Sequence, residues 1–176
     1  MDDRLPAPFR ERYRLTARIR ENEFGTVWRA ETIQSGQKVI LKWAKGESEG
    51  RLLMNESRML LHLKKHPDAS SPVKGDQAPA PSAPAYGRNA DLACLFPSQL
   101  EYFTWQGEDG VKQTVLVRTW VEGMTLEELC ETGCCRQGIP MEKSLDYLIR
   151  LCEIIRCLHS LDPPVIHRDL KPQKQA

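Results

Sequence analysis

Residues 167–172 read His167-Arg168-Asp169-Leu170-Lys171-Pro172. They follow directly on a long apolar helix and are the strongest local signal in the chain. That helix is expected over roughly Met141–Ser160, starting just after Pro140. Its apolar residues Leu145, Leu148, Ile149, Cys152, Ile155 and Leu158 are joined by Leu151 and Ile154. A stripe this broad calls for burial on most sides, yet only 16 residues follow it.

Upstream, residues 13–20 alternate, with Tyr13, Leu15, Ala17 and Ile19 on one face, as in a strand. A polar turn follows at Glu21-Asn22-Glu23-Phe24-Gly25, and a second strand starts near Thr26. Ser35-Gly36-Gln37 reads as a hairpin turn and Lys38–Ala44 as a third strand. Gly46–Lys65 reads as a helix whose apolar stripe is Leu52, Leu53, Met59, Leu60 and Leu63. Glu56 falls on that stripe, four after Leu52 and four before Leu60. A carboxylate on an inward face needs a cationic partner to offset desolvation; otherwise Glu56 reaches water at the stripe's edge. Leu100–Gln106 and Val111–Val121 read as strands around Gly107-Glu108-Asp109-Gly110. A short helix starts near Thr125.

The stretch 67–97 holds six of the chain's twelve prolines, which rules out a helix or a central strand there. It reads as a Pro/Ala-rich surface insertion. The balance of 40% hydrophobic and 28% charged residues, with a formal net charge of +1, is that of a soluble globular domain. It gives no reason to expect a nucleic-acid partner. No apolar signal core and no membrane segment is seen, so the expected compartment is the cytoplasm. The six cysteines, Cys94, Cys130, Cys134, Cys135, Cys152 and Cys157, lack a second pair at zinc-finger spacing. They read as reduced thiols, and no metal site is assigned.

His167–Pro172 matches the catalytic-loop pattern H-R-D-L-K-P-x-N of protein kinases, and the chain resembles that family, the serine/threonine-specific members in particular. The resemblance implies roles for residues upstream. Ile19–Val27 matches the glycine-rich loop that covers the ATP phosphates, with Gly25 and Val27 kept and Arg20 and Asn22 replacing two glycines. Val39-Ile40-Leu41-Lys42 matches the third-strand motif, so Lys42 would hold the ATP α- and β-phosphates and Ile40 would lie over adenine. Glu56 would be the helix glutamate that pairs with Lys42. Arg118 would occupy the gatekeeper position, and backbone groups of Thr119, Trp120 and Val121 would bind adenine as the hinge. Asp169 would be the catalytic carboxylate that orients the substrate hydroxyl, and Lys171 would neutralise the transferring phosphoryl group. His167 would be structural.

The expected fold is therefore α+β: a kinase-like small lobe of a five-stranded antiparallel sheet and one main helix. The hinge and first helices of the large lobe follow it. Residues 1–12 would be an N-terminal extension, 13–121 the small lobe and hinge, and 122–176 the start of a large lobe that stops at the catalytic loop. Position 174 holds Lys174 where the pattern has a magnesium-binding asparagine, and the D-F-G aspartate is absent. ATP and magnesium are the implied cofactors, with the magnesium ligands largely missing. The implied activity is phosphoryl transfer from ATP to a protein serine or threonine, with this chain expected to be an inactive fragment. The competing readings are a short pseudokinase-like binding module acting through protein contact, and an unrelated α+β protein with accidental motifs.

Overall fold

The computed structural model describes residues 7–23, 25–65, 96–131, 138–168 and 170. The expected insertion falls almost wholly outside them, as do Phe24, Asp169 and Lys171. The chain divides into two compact units. One comprises residues up to His62 with Pro97–Val121, and the other comprises Leu63–Phe96 with Glu122–Ala176.

The first unit is built on a five-stranded antiparallel sheet, so the α+β class and the sheet-plus-helix architecture hold. The strands are β1 (Tyr13–Asn22), β2 (Gly25–Thr32), β3 (Lys38–Lys45), β4 (Gln99–Gln106) and β5 (Lys112–Thr119). Their spatial order is β1-β2-β3-β5-β4. A four-residue helix, α1 (Ala7–Arg10), precedes the sheet, and α2 (Glu47–Lys65) connects β3 to the later strands.

Residues that face one another across antiparallel strands share a side of the sheet. The registers Trp28↔Leu41↔Val117 and Thr26↔Trp43↔Val115 therefore define one face. The main core lies there: Tyr13, Ala30, Val39, Leu41, Trp43, Val115 and Val117, with Phe9 inserted among them. Phe9 is only 1% exposed, and its ring meets Phe103 edge-on at 5.4 Å between centroids. A segment that the sequence places outside the lobe thus closes the core of its sheet. Tyr13 donates to Glu101 Oε1 at 2.9 Å, and Arg12 donates to the same oxygen at 2.6 Å. Burial, reinforced by that carboxylate, raises the pKa of the Tyr13 phenol.

The registers Val27↔Lys42↔Leu116, Arg29↔Ile40↔Arg118 and Gly25↔Ala44↔Thr114 define the other face. Helix α2 lies over it. A Cβ on Gly50 would stand 2.8 Å from Thr114 Oγ1, so the first turns of α2 approach β5 at a distance that only glycine permits.

Two expectations need correction. The alternation along β1 is broken by register shifts between Leu15 and Ala17 and between Arg18 and Arg20. Each bulge adds a residue and turns the following side chains over, so Tyr13 is buried while Ala17 and Ile19 are exposed. On α2, Leu60 and Leu63 are buried, but Leu52 and Met59 are exposed. The buried arc runs through Gly50, Ser57, Leu60 and Leu63, which leaves Leu52 and Met59 on its flank.

The second unit contains α3 (Leu126–Glu131) and α4 (Met141–His159). Helix α3 opens with a capping box: Thr125 Oγ1 accepts from Glu128 N–H at 3.0 Å, and Glu128 accepts from Thr125 N–H at 2.7 Å. This satisfies two backbone donors that a helix start leaves over. Leu63, Leu158 and Leu161 form a small core with Phe96 and Val165. Towards its N-terminus the α4 stripe is open, with Leu145, Leu148 and Ile149 all more than half exposed. Among the described residues no helix is long and apolar enough to cross a membrane.

Because Phe9 fills a site with no slack, Phe9→Ala should destabilise the sheet unit by about 3 kcal/mol, the usual scale for emptying a buried aromatic site. Equilibrium urea unfolding followed by tryptophan fluorescence would read this. A loss below about 1 kcal/mol would mean that α1 merely rests on the sheet.

Candidate functional site

The face opposite the core carries the charged groups. Lys42, at the middle of β3, projects towards α2 because its neighbours Leu41 and Trp43 are committed to the core side. Its Nζ donates to both oxygens of Glu56, each at 2.7 Å. Both side chains are about one quarter exposed, so the pair is only partly desolvated. Exposed ion pairs contribute roughly 0–1 kcal/mol, and buried ones can be neutral against apolar replacements. The pair therefore acts mainly as a register device that fixes α2 against β3.

Arg118, on β5, points to the same carboxylate, with Nε 3.6 Å from Glu56 Oε1. Its side chain is 12% exposed, and Nε has no hydrogen-bond partner. Burial lowers the pKa of this guanidinium, and the Glu56 charge partly offsets the effect. An arginine remains charged even so, so three side chains with a summed charge of +1 meet at Glu56.

Beside Lys42 a cleft of about 180 Å³ opens beneath the β1–β2 hairpin. Its lining includes Arg20, Asn22, Gly25, Val27, Lys42 and Glu49. Asn22 Oδ1 accepts the Gly25 N–H at 3.1 Å, an Asx-type contact that closes the hairpin. Glu21, near the end of β1, is held by Arg18. Gly25 has φ 153°, and a Cβ there would stand 2.1 Å from the Trp43 carbonyl oxygen. This glycine is required where β2 meets β3, whatever the cleft binds.

The site residues expected from sequence distribute as follows. Gly25, Val27 and Lys42 line the cleft, and Glu56 holds Lys42. Ile40 is buried on the same face, one register step from Lys42, between Arg29 and Arg118. Thr119, Trp120 and Val121 follow at the end of β5. The Thr119 N–H donates to Ser98 O at 2.9 Å and the Trp120 N–H to Lys38 O at 3.2 Å. Those two donors are taken up in the sheet, and Arg29 covers the Trp120 ring at 4.4 Å. Ile19 is not brought to the cleft, because it sits at the β1 bulge and is exposed. Asp169 and Lys171 lie outside the described residues. Next to them, Arg168 adopts a left-handed backbone with φ 61°, uncommon for a residue with a side chain.

The resemblance placed Arg20 in the glycine-loop stretch and Arg118 at the gatekeeper position; the approach of Arg118 to Glu56 and the side chain of Arg20 in the cleft lining are what the structure adds. The β5 alternation carried a signal for Arg118, since Thr114, Leu116 and Arg118 share the face that meets Lys42. For Arg20 the loop match gave the place, and the side to which it turns depends on the register shift between Arg18 and Arg20. Among the described residues no group of three or more His, Cys, Asp or Glu side chains could hold a metal ion. Cys130 and Cys152 are exposed free thiols, and Cys157 is half-buried. No protein-family model and no curated protein matches the chain.

Gly25→Ala should cost about 1–3 kcal/mol, the range for forcing extra volume into a packed site. At Gly36, which has φ 67° and nothing within 4 Å of an added Cβ, Ala should cost about 1 kcal/mol, from the left-handed backbone alone. Paired urea titrations would rank them. Equal losses would show that the strand contact at Gly25 relaxes freely.

Proposed function

We propose that this chain binds ATP on the Lys42 face of its sheet, with the chemistry of a serine/threonine protein kinase. The observation that carries the reading is the two-point contact of Lys42 with Glu56. It spends a carboxylate on fixing one ammonium group beside a cleft of phosphate size. A volume of about 180 Å³ is below the roughly 300–1,000 Å³ of sites that enclose a whole small molecule. It fits the phosphates and leaves the purine outside, towards the buried Ile40 and the end of β5.

In this reading Lys42 takes the phosphate charge, and Arg20 adds a second cation where relatives use backbone N–H groups of glycines. With the N–H groups of Thr119 and Trp120 engaged, recognition of the base falls to Val121. Asp169 would orient a protein hydroxyl, and Lys171 would screen the transferring group. A lysine two residues after that aspartate is the serine/threonine pattern. Bound magnesium would supply charge neutralisation between the phosphates. The sequence pattern provides few ligands for it, since position 174 is lysine. The acceptor in this reading would be a serine or threonine hydroxyl of a protein.

The open stripe of α4, with Leu145, Leu148 and Ile149 exposed, favours a second reading, a pseudokinase-like module that acts through protein contact.

Nucleotide binding separates the two. ATP, titrated with and without magnesium and followed by intrinsic fluorescence or calorimetry, should bind the wild-type chain. Lys42→Met should weaken it at least tenfold, since charge-assisted hydrogen bonds contribute about 1.5–3 kcal/mol. Equal affinity in a folded Lys42→Met variant would refute the role of Lys42. Absence of binding by the wild type would leave the protein-contact reading.

A further inference from the structure

The third member of the cluster, Arg118, has no part in the proposed phosphate contact, yet its geometry is specific. It comes from β5 and Lys42 comes from β3, and both converge on one carboxylate of α2. Lys42 holds both Glu56 oxygens at 2.7 Å. Arg118 stands 3.6 Å from Oε1, too long for a hydrogen bond but close enough for strong charge attraction in a partly desolvated place. Its Nε is buried and without a hydrogen-bond partner, so a shift of a few tenths of an ångström would give that donor an acceptor. No other ionisable residue neighbours Glu56 on its own helix face: one turn away stand Leu52, Leu53, Met59 and Leu60. Arg20 and Glu49 belong to the adjoining cleft.

We propose that Arg118 is a positioning residue: a second, reserve cation that holds the Glu56 carboxylate and keeps α2 seated when Lys42 is removed or drawn to an anionic ligand. A carboxylate served by a single lysine would lose its only counter-charge whenever that lysine turned to a phosphate. With Arg118 behind it, the carboxylate exchanges a 2.7 Å partner for one that is already within reach. The helix then stays in register on both sides of the exchange. The role rests on these three side chains, and it deepens the nucleotide reading by explaining how Lys42 is released without unseating α2.

The test measures folding rather than binding, so it succeeds or fails independently of whether the cleft takes ATP. Urea midpoints would be measured from pH 4 to pH 9 for Lys42→Met, Arg118→Met, the double variant, and the double variant with Glu56→Gln. Each single variant leaves Glu56 one cation, so the extra pH dependence relative to wild type should be small. In the double variant the half-buried carboxyl group is favoured in its neutral form. Relative to wild type, its stability is then greatest below about pH 4.3, where carboxyl groups of the unfolded chain are protonated too. It falls as rising pH ionises the group in the folded state, because the unfolded chain has already lost that proton. Adding Glu56→Gln should abolish this fall. If the double variant does not fold, recovery of folding on adding Glu56→Gln supports the proposal and continued failure counts against it. The full pH-dependent loss in Lys42→Met alone, or no added loss in the double variant, would overturn it.

Discussion

The sheet unit is organised around one constraint: the carboxylate of Glu56 lies on the side of α2 that faces β-structure. A charge there costs several kcal/mol unless it is met by opposite charge. Meeting it fixes which residue of β3 opposes which turn of α2. The net stabilisation from such a pair is small, because what the charges gain from each other they largely lose in leaving water. What the pair fixes is position. Apolar burial holds the unit together, and the ion pair selects one seating of the helix among several that would bury similar area. The close approach of Gly50 to Thr114 acts in the same direction, since a larger side chain at position 50 would lift the first turns of the helix away from β5.

The period of two along each strand separates the two tasks. On one face Val39, Leu41, Trp43, Val115 and Val117 join Phe9 and Tyr13 in a continuous core. Trp43 Nε1 is satisfied within it by Gln113 Oε1 at 2.9 Å. On the other face the same strands present Lys42, Arg29 and Arg118. The sheet can carry this much charge on one side because its hydrophobic stabilisation comes from the other. Gly25, on the α2 face, serves both the strand contact and the cleft. It allows β2 to close on the Trp43 carbonyl and it shapes the rim of the cleft, so its conservation of chain path and its role at the site have one physical cause.

Most of this architecture is legible in the sequence. Turn residues such as Ser35-Gly36-Gln37 and Gly107–Gly110 bound the strands, and the alternation of Val39–Ala44 states which side chains share a face. Glu56 is legible as an inward carboxylate that needs a cation, and the resemblance to kinases is what implied Lys42 as that cation, the contact the structure shows. What the sequence conceals follows from small geometric events. Two bulges in β1 each add a residue, and no composition signal marks them. They turn Ile19 outward and bring Arg20 to the cleft. The arc of α2 differs from its apolar stripe because Gly50, which closes on β5, and the buried Ser57 are not apolar markers, and Leu52 and Met59 are left outside. Phe9 stands alone in a polar N-terminal segment, so no periodicity announces that it completes a core built from distant strands.

If the hairpin meets phosphate as proposed, Arg20 and Asn22, where the kinase pattern has glycines, change the kind of recognition that it can offer. Backbone N–H groups in a glycine turn are fixed in direction and carry partial charges, so they select the geometry of an anion. An arginine side chain carries a full charge on a long, mobile stem, so it selects charge, and ordering it costs rotamer freedom. Asn22, by capping the Gly25 N–H, takes one of the loop's own donors out of use. The hairpin is thereby stiffened at its base, and under the proposed reading its attraction for anions would pass from the backbone to a side chain. Combined with a lysine already held by a carboxylate, the result is a cleft whose affinity for phosphate would depend more on ionic strength than on the fine geometry of the loop, because screening acts on an exposed side-chain charge far more than on buried backbone dipoles.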